Sequence, residues 1–98
     1  MSKVAMSISF QLKEGVSAQD FLQGSDKVQT DYLSKCKGYL SRTLFVSDGL
    51  WTDLVIWETM EDAEQAMMGS ETDASAAEFF PLIGEVTAHI LVPIERSY

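Results

Sequence analysis

The sequence predicts a single α+β domain whose elements follow the order strand, helix, strand, strand, helix, strand. Segments 4–12 and 86–94 alternate apolar with polar residues, as half-buried strands do. In the middle of the chain, Asp48 and Gly49 join two further alternating segments, and this dipeptide favours a type I′ hairpin turn because Gly adopts positive φ without strain. Two capping sequences between the strands indicate helices.

The first half of the chain predicts a strand followed by a helix. The strand has an apolar row at Val4 and every second residue after it, opposite a row of small polar residues. Ser17 and Asp20 have the spacing of a capping box, with Asp in place of the usual Glu, and they predict the start of the helix. Gly38 is expected to end this helix, because glycine is the residue that most often follows a helix C-terminus.

The second half predicts the hairpin, an interrupted helix and the last strand. Thr59 and Asp62 repeat the capping spacing. The helix that they begin is expected to stop near Gly69 and to resume after a cap at Thr72 or Asp73. Right-handed crossovers then give a ferredoxin-like fold, in which one face of a four-stranded antiparallel sheet carries both helices and the first and third strands are central.

A two-residue loop sets the register of the hairpin, and the register decides which side chains share a face. The register set by this loop pairs Arg42 with Val55 and Leu40 with Trp57. Burying charged side chains beneath helices is costly. We therefore assign the row with Arg42, Asp53 and Trp57 to the open face, and the row with Phe45, Leu54 and Ile56 to the helices. The apolar rows Val4/Met6/Ile8/Phe10 and Val86/Ala88/Ile90/Val92 are assigned to the helices as well.

The open face so assigned predicts a homodimer. It would expose a row of apolar side chains that includes Trp51, Val55 and Trp57, a patch larger than monomers usually leave in water. A second copy laying its sheet over this face is the simplest cover. Two curved sheets packed face to face would also enclose a cavity.

The composition of the chain limits the kinds of partner that it can bind. The 98 residues carry a formal net charge of −8, from 15 acidic and 7 basic residues, which opposes binding to nucleic acid or to anionic membranes. No apolar run is long enough to span a bilayer, and the N-terminus lacks the pattern of a signal peptide. The only cysteine, Cys36, has no partner for an internal disulfide. The expected compartment is the cytoplasm.

The candidate site consists of polar and aromatic residues expected to face a cavity. His89, the only histidine, is a general base or a structural residue. Arg42 and Asp53 form either an ion pair that orders the dimer interface or a site for an anion or phenolate. Trp57 stacks a planar ligand or belongs to the core, and Met67 lines the core or the pocket. Further candidates are Ser7, Ser9 and Tyr32. No motif indicates a metal or a cofactor.

Segments 42–66 and 77–95 carry a resemblance to a known family. RTLFVSDGLWTDLVIWETMEDAEQA and AEFFPLIGEVTAHILVPIE resemble the dimeric α+β barrel superfamily, in particular the antibiotic biosynthesis monooxygenases. The haem-degrading members of that superfamily rely on an Asn, a Trp and a His, where this chain has Ser7 or Ser9, Met67 and the stretch around Ala76. The resemblance therefore disfavours haem degradation.

The resemblance implies one domain over residues 1–98, a dimer, and an enzyme that adds oxygen without a cofactor. A small aromatic or polycyclic substrate would lie in a cavity between sheet and helices. His89 would act as base, and Arg42, with Asp53, would stabilise the deprotonated substrate; Ser7, Ser9, Tyr32, Trp57 and Met67 would contact it. The alternative is a barrel without catalysis that binds a small ligand or only dimerises.

Overall fold

A computed structural model describes residues 2–98 of the chain. The elements are β1 (Val4–Leu12), α1 (Ala18–Asp31), β2 (Tyr39–Ser47), β3 (Leu50–Trp57), α2 (Met60–Ser70), α3 (Ala74–Phe79) and β4 (Ile83–Pro93), with 3₁₀ turns at Leu33–Lys35 and Phe80–Leu82. The strands form one antiparallel sheet in the order β2-β3-β1-β4. The predicted ferredoxin-like α+β fold, with the first and third strands central, is therefore confirmed.

The helices begin where their caps predict. The side-chain oxygens of Ser17, Thr59 and Asp73 each accept a hydrogen bond from the backbone N–H three residues later, at 3.0, 3.0 and 2.9 Å. Each bond satisfies one of the backbone donors that a helix N-terminus leaves free. Of the two caps proposed for the last helix, the structure uses Asp73. The α-helical part of α1 ends at Asp31, before Gly38, and a 3₁₀ turn covers part of the remaining distance.

The hairpin turn has the predicted geometry. Asp48 and Gly49 have φ of 52° and 80°, the positive values that a type I′ turn requires at both central residues. Arg42 pairs with Val55 as expected. The predicted pairing of Leu40 with Trp57 is wrong, because an irregularity between residues 39 and 41 shifts the register there and Tyr39 takes that place.

The predicted assignment of the hairpin faces is wrong. Pairing between β1 and β3 places Asp53 opposite Ile8 and Trp57 opposite Val4, on the side that the helices cover. Arg42 lies on the same side, while Leu54 and Phe45 lie on the open side. The prediction assumed that the charged pair could not be buried, whereas the two side chains satisfy each other in the interior.

The predicted face of β4 is also wrong over most of its length. His89 pairs with Ile8 and therefore lies on the helix side, whereas Ile90 and Ala88 pair with Ser7 and Ser9 on the open side. A register shift between residues 9 and 10 of β1 brings Val86 opposite Phe10. Alternation shows which residues of this strand share a face, and the prediction assumed that the apolar row must lie beneath the helices. In the structure Ala88, Ile90 and Val92 lie instead on the open side of the sheet, which is itself apolar.

The open face of the sheet is apolar, although with different residues from those expected. Phe45, Ile90 and Val92 expose 52, 44 and 45% of their surface, and Leu54 and Ile56 lie between them in the central strand β3. An exposed face with this many large apolar side chains marks an interaction surface in soluble proteins.

The core between helices and sheet has two parts. In the first, Phe21 of α1 packs against Phe10, Trp51 and Phe79, with ring centroids 5.5, 4.8 and 5.5 Å apart. In the second, α2 covers a cluster of buried residues from β1, β3 and α2 itself: Val4, Val55, Trp57, Ala63 and Ala66. Residues of both parts face a space between them, and that space is the candidate site.

Candidate functional site

A cavity of about 470 Å³ lies between the helices and the sheet. Its volume falls within the roughly 300–1,000 Å³ typical of small-molecule pockets. The walls are mostly apolar, with a few polar groups among them, and they consist of Met6, Ser7, Ile8, Val28, Tyr32, Leu33, Arg42, Asp53, Val55, Ala66, Met67, Ser70, Glu71, Ala76, Ala77, Phe79, Phe80 and His89. Apolar walls with few polar groups suit a ligand that is largely hydrocarbon.

The polar centre of the cavity is a buried ion pair between neighbouring strands. Arg42 on β2 donates from Nε to Oδ1 of Asp53 at 2.9 Å and from Nη2 to Oδ2 at 2.8 Å. The two side chains are only 5 and 9% exposed. Planar guanidinium and carboxylate groups that meet through two parallel bonds form one of the strongest polar contacts in proteins.

The guanidinium is fixed on two further sides. Nη1 of Arg42 donates to the backbone oxygen of Ser25 in α1 at 3.2 Å, and the guanidinium carbon lies 5.7 Å from the ring centroid of Phe79 in α3. Three of the five N–H donors of Arg42 are therefore bonded to Asp53 and Ser25, and two remain for a ligand. The pair thus connects the sheet to α1, on the helix side of the sheet.

His89 lies at the edge of the cavity. The side chain is on the helix side of β4, opposite Ile8, and the residue is exposed. An exposed imidazole can exchange a proton with water directly. The structure therefore brings Arg42, Asp53 and His89 to one cavity, although all three lie on the helix side of the sheet and not on the open face to which the sequence analysis assigned them.

Tyr32 closes the cavity beneath α2. The hydroxyl donates to the backbone oxygen of Ala66, and burial raises the pKa of Tyr32 well above its ordinary value of 10.0. A Cβ added at Gly69 would lie 2.6 Å from this hydroxyl, so the glycine leaves room for it. Next to Tyr32, burial raises the pKa of the Cys36 thiol, which disfavours the thiolate and hence a reactive cysteine.

The other predicted ligand contacts divide into two groups. Met67 lines the cavity. Ser7 is also part of the cavity wall, although its side chain lies on the open side of the sheet, where the residue pairs with Leu54 and Ile90. Ser9 does not line it, because this residue bonds to the Thr52 hydroxyl at 3.0 Å and pairs on the open side of the sheet. Trp57 does not line it either, since the ring is fully buried beneath α2 in the second part of the core.

Two polar residues of the cavity wall were missed by the sequence analysis. Ser70 is the last residue of α2, and Glu71 follows it at the break before α3. The break itself was predicted near Gly69. Because the end of a helix at such a break can face a cavity, the predicted break could have identified Ser70 and Glu71 as candidates.

Residues 2–98 contain neither an arrangement of metal ligands nor a membrane-spanning helix. Within this range, no group of three or more His, Cys, Asp or Glu side chains is arranged to hold a metal ion. Over the same residues, no helix is long and apolar enough to cross a membrane.

Solved structures of other proteins share the fold of this chain. No protein-family model matches the sequence, and no curated protein matches it. Among solved structures, SnoaB, a cofactor-independent oxygenase from Streptomyces nogalater, superimposes with a TM-score of 0.79 at 13% identity, over 99% of this chain and 97% of that one. A Bordetella bronchiseptica protein assigned to the antibiotic biosynthesis monooxygenases gives 0.77 at 14% identity, over 100% of both chains.

A third structure, from Chloroflexus aurantiacus and assigned to the same group, gives a TM-score of 0.76 at 13% identity, over 99% of this chain and 97% of that one. The chain therefore has the same fold as SnoaB and the two proteins assigned to the antibiotic biosynthesis monooxygenases. The resemblance found in the sequence is confirmed at the level of the fold. Because identities this low do not carry chemistry from one protein to another, function is argued from the site.

Proposed function

We propose that this chain is a cofactor-independent monooxygenase-like protein that oxidises a small aromatic or polycyclic phenol in the cavity between the helices and the sheet. The observation that carries the proposal is the convergence of Arg42, Asp53 and His89 on one open, apolar cavity. SnoaB, which shares the fold, is described as a cofactor-independent oxygenase, and this supports the class of reaction.

The proposed reaction converts a methylene between two hydroxylated aromatic rings into a carbonyl. His89 accepts a proton as the substrate ionises, and the resulting electron-rich carbon reacts with dioxygen. Both methylene hydrogens leave the carbon, one oxygen atom becomes the carbonyl oxygen, and the other leaves as water. The substrate supplies all the electrons that reduce dioxygen, so the balance needs no further reductant.

Arg42 and Asp53 act together in this proposal. The two N–H groups of Arg42 that Asp53 and Ser25 leave free donate to an oxygen of the substrate and orient its ring system. Asp53 holds the guanidinium in place and does not contact the reacting carbon. Tyr32 and Met67 contribute to the wall against which the rings pack.

Oxygen uptake with dithranol, a hydroxylated anthrone, tests the proposal. The wild-type protein is expected to consume oxygen faster than the spontaneous oxidation of the probe and to form the quinone. A general base typically contributes about 10²–10⁴-fold, so His89→Ala should lower the enzymatic rate by at least about tenfold. Glu85→Ala, an exposed change on the same strand that is outside the cavity wall, is the control and should leave the rate unchanged. A wild-type rate equal to the spontaneous rate would contradict catalysis.

One observation favours a second candidate, a cavity that binds a ligand without changing it. Arg42 and Asp53 neutralise each other, so the cation that would stabilise an ionised substrate is already compensated. Calorimetry separates the two candidates: heat of binding for a naphthol or anthrone, together with no oxygen uptake above the spontaneous rate, indicates the binding function alone.

We also propose that the protein is a homodimer that forms through the open face of the sheet and acts in the cytoplasm. The apolar row of Phe45, Leu54, Ile56, Ile90 and Val92 supports the dimer, because a second copy of the same face would cover it. In such a dimer the cavity stays on the opposite side of each sheet. Each subunit would therefore hold a complete cavity of its own.

A further inference from the structure

We infer that Asp53 makes the cavity select an uncharged ligand over an anion. The inference rests on the proposed function, since it takes the cavity as the ligand site, and it specifies the chemical class of the ligand. An arginine at the centre of an apolar cavity would ordinarily indicate a carboxylate or phosphate ligand. In this chain the geometry of Arg42 indicates the opposite preference.

The two bonds to Asp53 occupy one edge of the Arg42 guanidinium that an external carboxylate could use. Nε and Nη2 form this edge, and both donate to Asp53 at 2.9 and 2.8 Å. Nη1 donates to Ser25, and the ring of Phe79 lies against the guanidinium. A carboxylate entering the cavity would therefore meet an arginine whose charge Asp53 already compensates and whose Nε–Nη2 edge is occupied.

The remaining charges of the wall do not favour an anion either. Among the described residues that line the cavity, Arg42 is the only arginine or lysine, and the other charged side chains are Asp53 and Glu71. The wall thus has no net positive charge while His89 is neutral. An anion would lose its hydration in an apolar space without gaining a counter-ion, which is unfavourable. A neutral group of the same shape loses far less.

The test uses two probes that differ in charge and hardly in shape, 2-naphthamide and 2-naphthoate, with calorimetry at pH 7. The wild-type protein is expected to bind the amide at least about tenfold more tightly than the carboxylate. Asp53→Asn removes the charge that compensates Arg42, so affinity for the carboxylate should rise at least about tenfold and the preference should diminish or reverse. Asp26→Asn is the matched control, because Asp26 is exposed on α1 outside the cavity wall and the change alters net charge by the same amount.

The outcomes separate the inference from the proposed function. Equal or tighter binding of the carboxylate to the wild-type protein overturns the inference, while the cavity remains a ligand site. Failure of both probes to bind overturns the cavity as the ligand site and the inference with it. An equal change of preference in Asp26→Asn also overturns the inference, since net charge and not Asp53 would then decide. If Asp53→Asn does not fold, the wild-type ratio decides alone.

Discussion

Removing one partner of the Arg42–Asp53 pair should destabilise the protein strongly, and removing both should not. Arg42→Met leaves the Asp53 carboxylate, 9% exposed, without its two charge-assisted bonds, and it leaves the backbone oxygen of Ser25 without the bond from Nη1. Breaking a buried pair in this way costs about 3–5 kcal/mol, because an uncompensated charge remains inside. In a domain of this size, that loss lowers the melting temperature by roughly 12–40 °C.

The double variant Arg42→Met/Asp53→Leu tests the reasoning. With both charges absent, the free energy of unfolding should return to within about 1 kcal/mol of the wild-type value or exceed it, since apolar replacements of buried pairs are often neutral or stabilising. Urea unfolding followed by circular dichroism, at one protein concentration for all variants, measures the difference. A cost below about 1 kcal/mol for Arg42→Met, or a double variant as unstable as the single one, would refute the account of the pair.

Four further predictions concern the turn, α2, the titration of Tyr32 and the open face. Gly49→Val should cost roughly 1 kcal/mol or more in urea unfolding, because the added Cβ meets no atom within 4 Å and the cost comes only from φ of 80°; an unchanged midpoint would contradict the type I′ turn. Gly69→Ala should destabilise the wild-type protein by about 1 kcal/mol, because the added Cβ displaces the Tyr32 hydroxyl from the Ala66 oxygen. In the Tyr32→Phe background the same change should stabilise the protein by about 0.5–1 kcal/mol, because alanine favours a helix more than glycine does. A change of the same sign in both backgrounds would exclude this contact. Because the pKa of Tyr32 is raised in the folded protein, its neutral hydroxyl contributes stability that is fully present below pH 10 and is lost as the pH rises toward that pKa. Between pH 9 and 11, Tyr32→Phe should therefore lose less stability than the wild-type protein does. Urea unfolding at each pH measures the difference. Light scattering should give about twice the 10.9 kDa chain mass, and Ile90→Asp should give the monomer; a monomeric wild type would contradict the dimer.

The sequence predicted the elements of the fold because each one depends on local signals. The caps at Ser17 and Thr59 and the turn at Asp48 and Gly49 act within a few residues, and all of them lie where they were predicted. The faces of the strands could not be predicted in the same way. Both rows of the hairpin contain enough apolar residues to face a core, and in β4 the apolar row lies on the open side because that side is apolar as well. Only the packing of the whole sheet decides which row the helices cover.

The candidate site depended on both kinds of signal. Arg42 and Asp53 had to lie near each other once the register of the hairpin was known, whichever face they occupied, and the structure pairs them. Trp57 lies on the same side of the sheet as the cavity but is not part of its wall, because the ring is buried beneath α2 in the second part of the core. Glu71 was missed although the helix break near Gly69 was predicted, because the sequence did not show that this break lies beside the cavity.

The buried pair has two roles, and they can be separated. It holds β2, β3 and α1 together around the cavity, and it removes the positive charge that would attract an anion. If Asp53→Asn admitted naphthoate only by loosening the cavity, any variant that weakens the packing there would do the same. Arg42→Met/Asp53→Leu has neither charge, and it should bind naphthamide and still reject naphthoate. This result would show that naphthoate binding depends on the uncompensated charge of Arg42 and not on the stability of the fold.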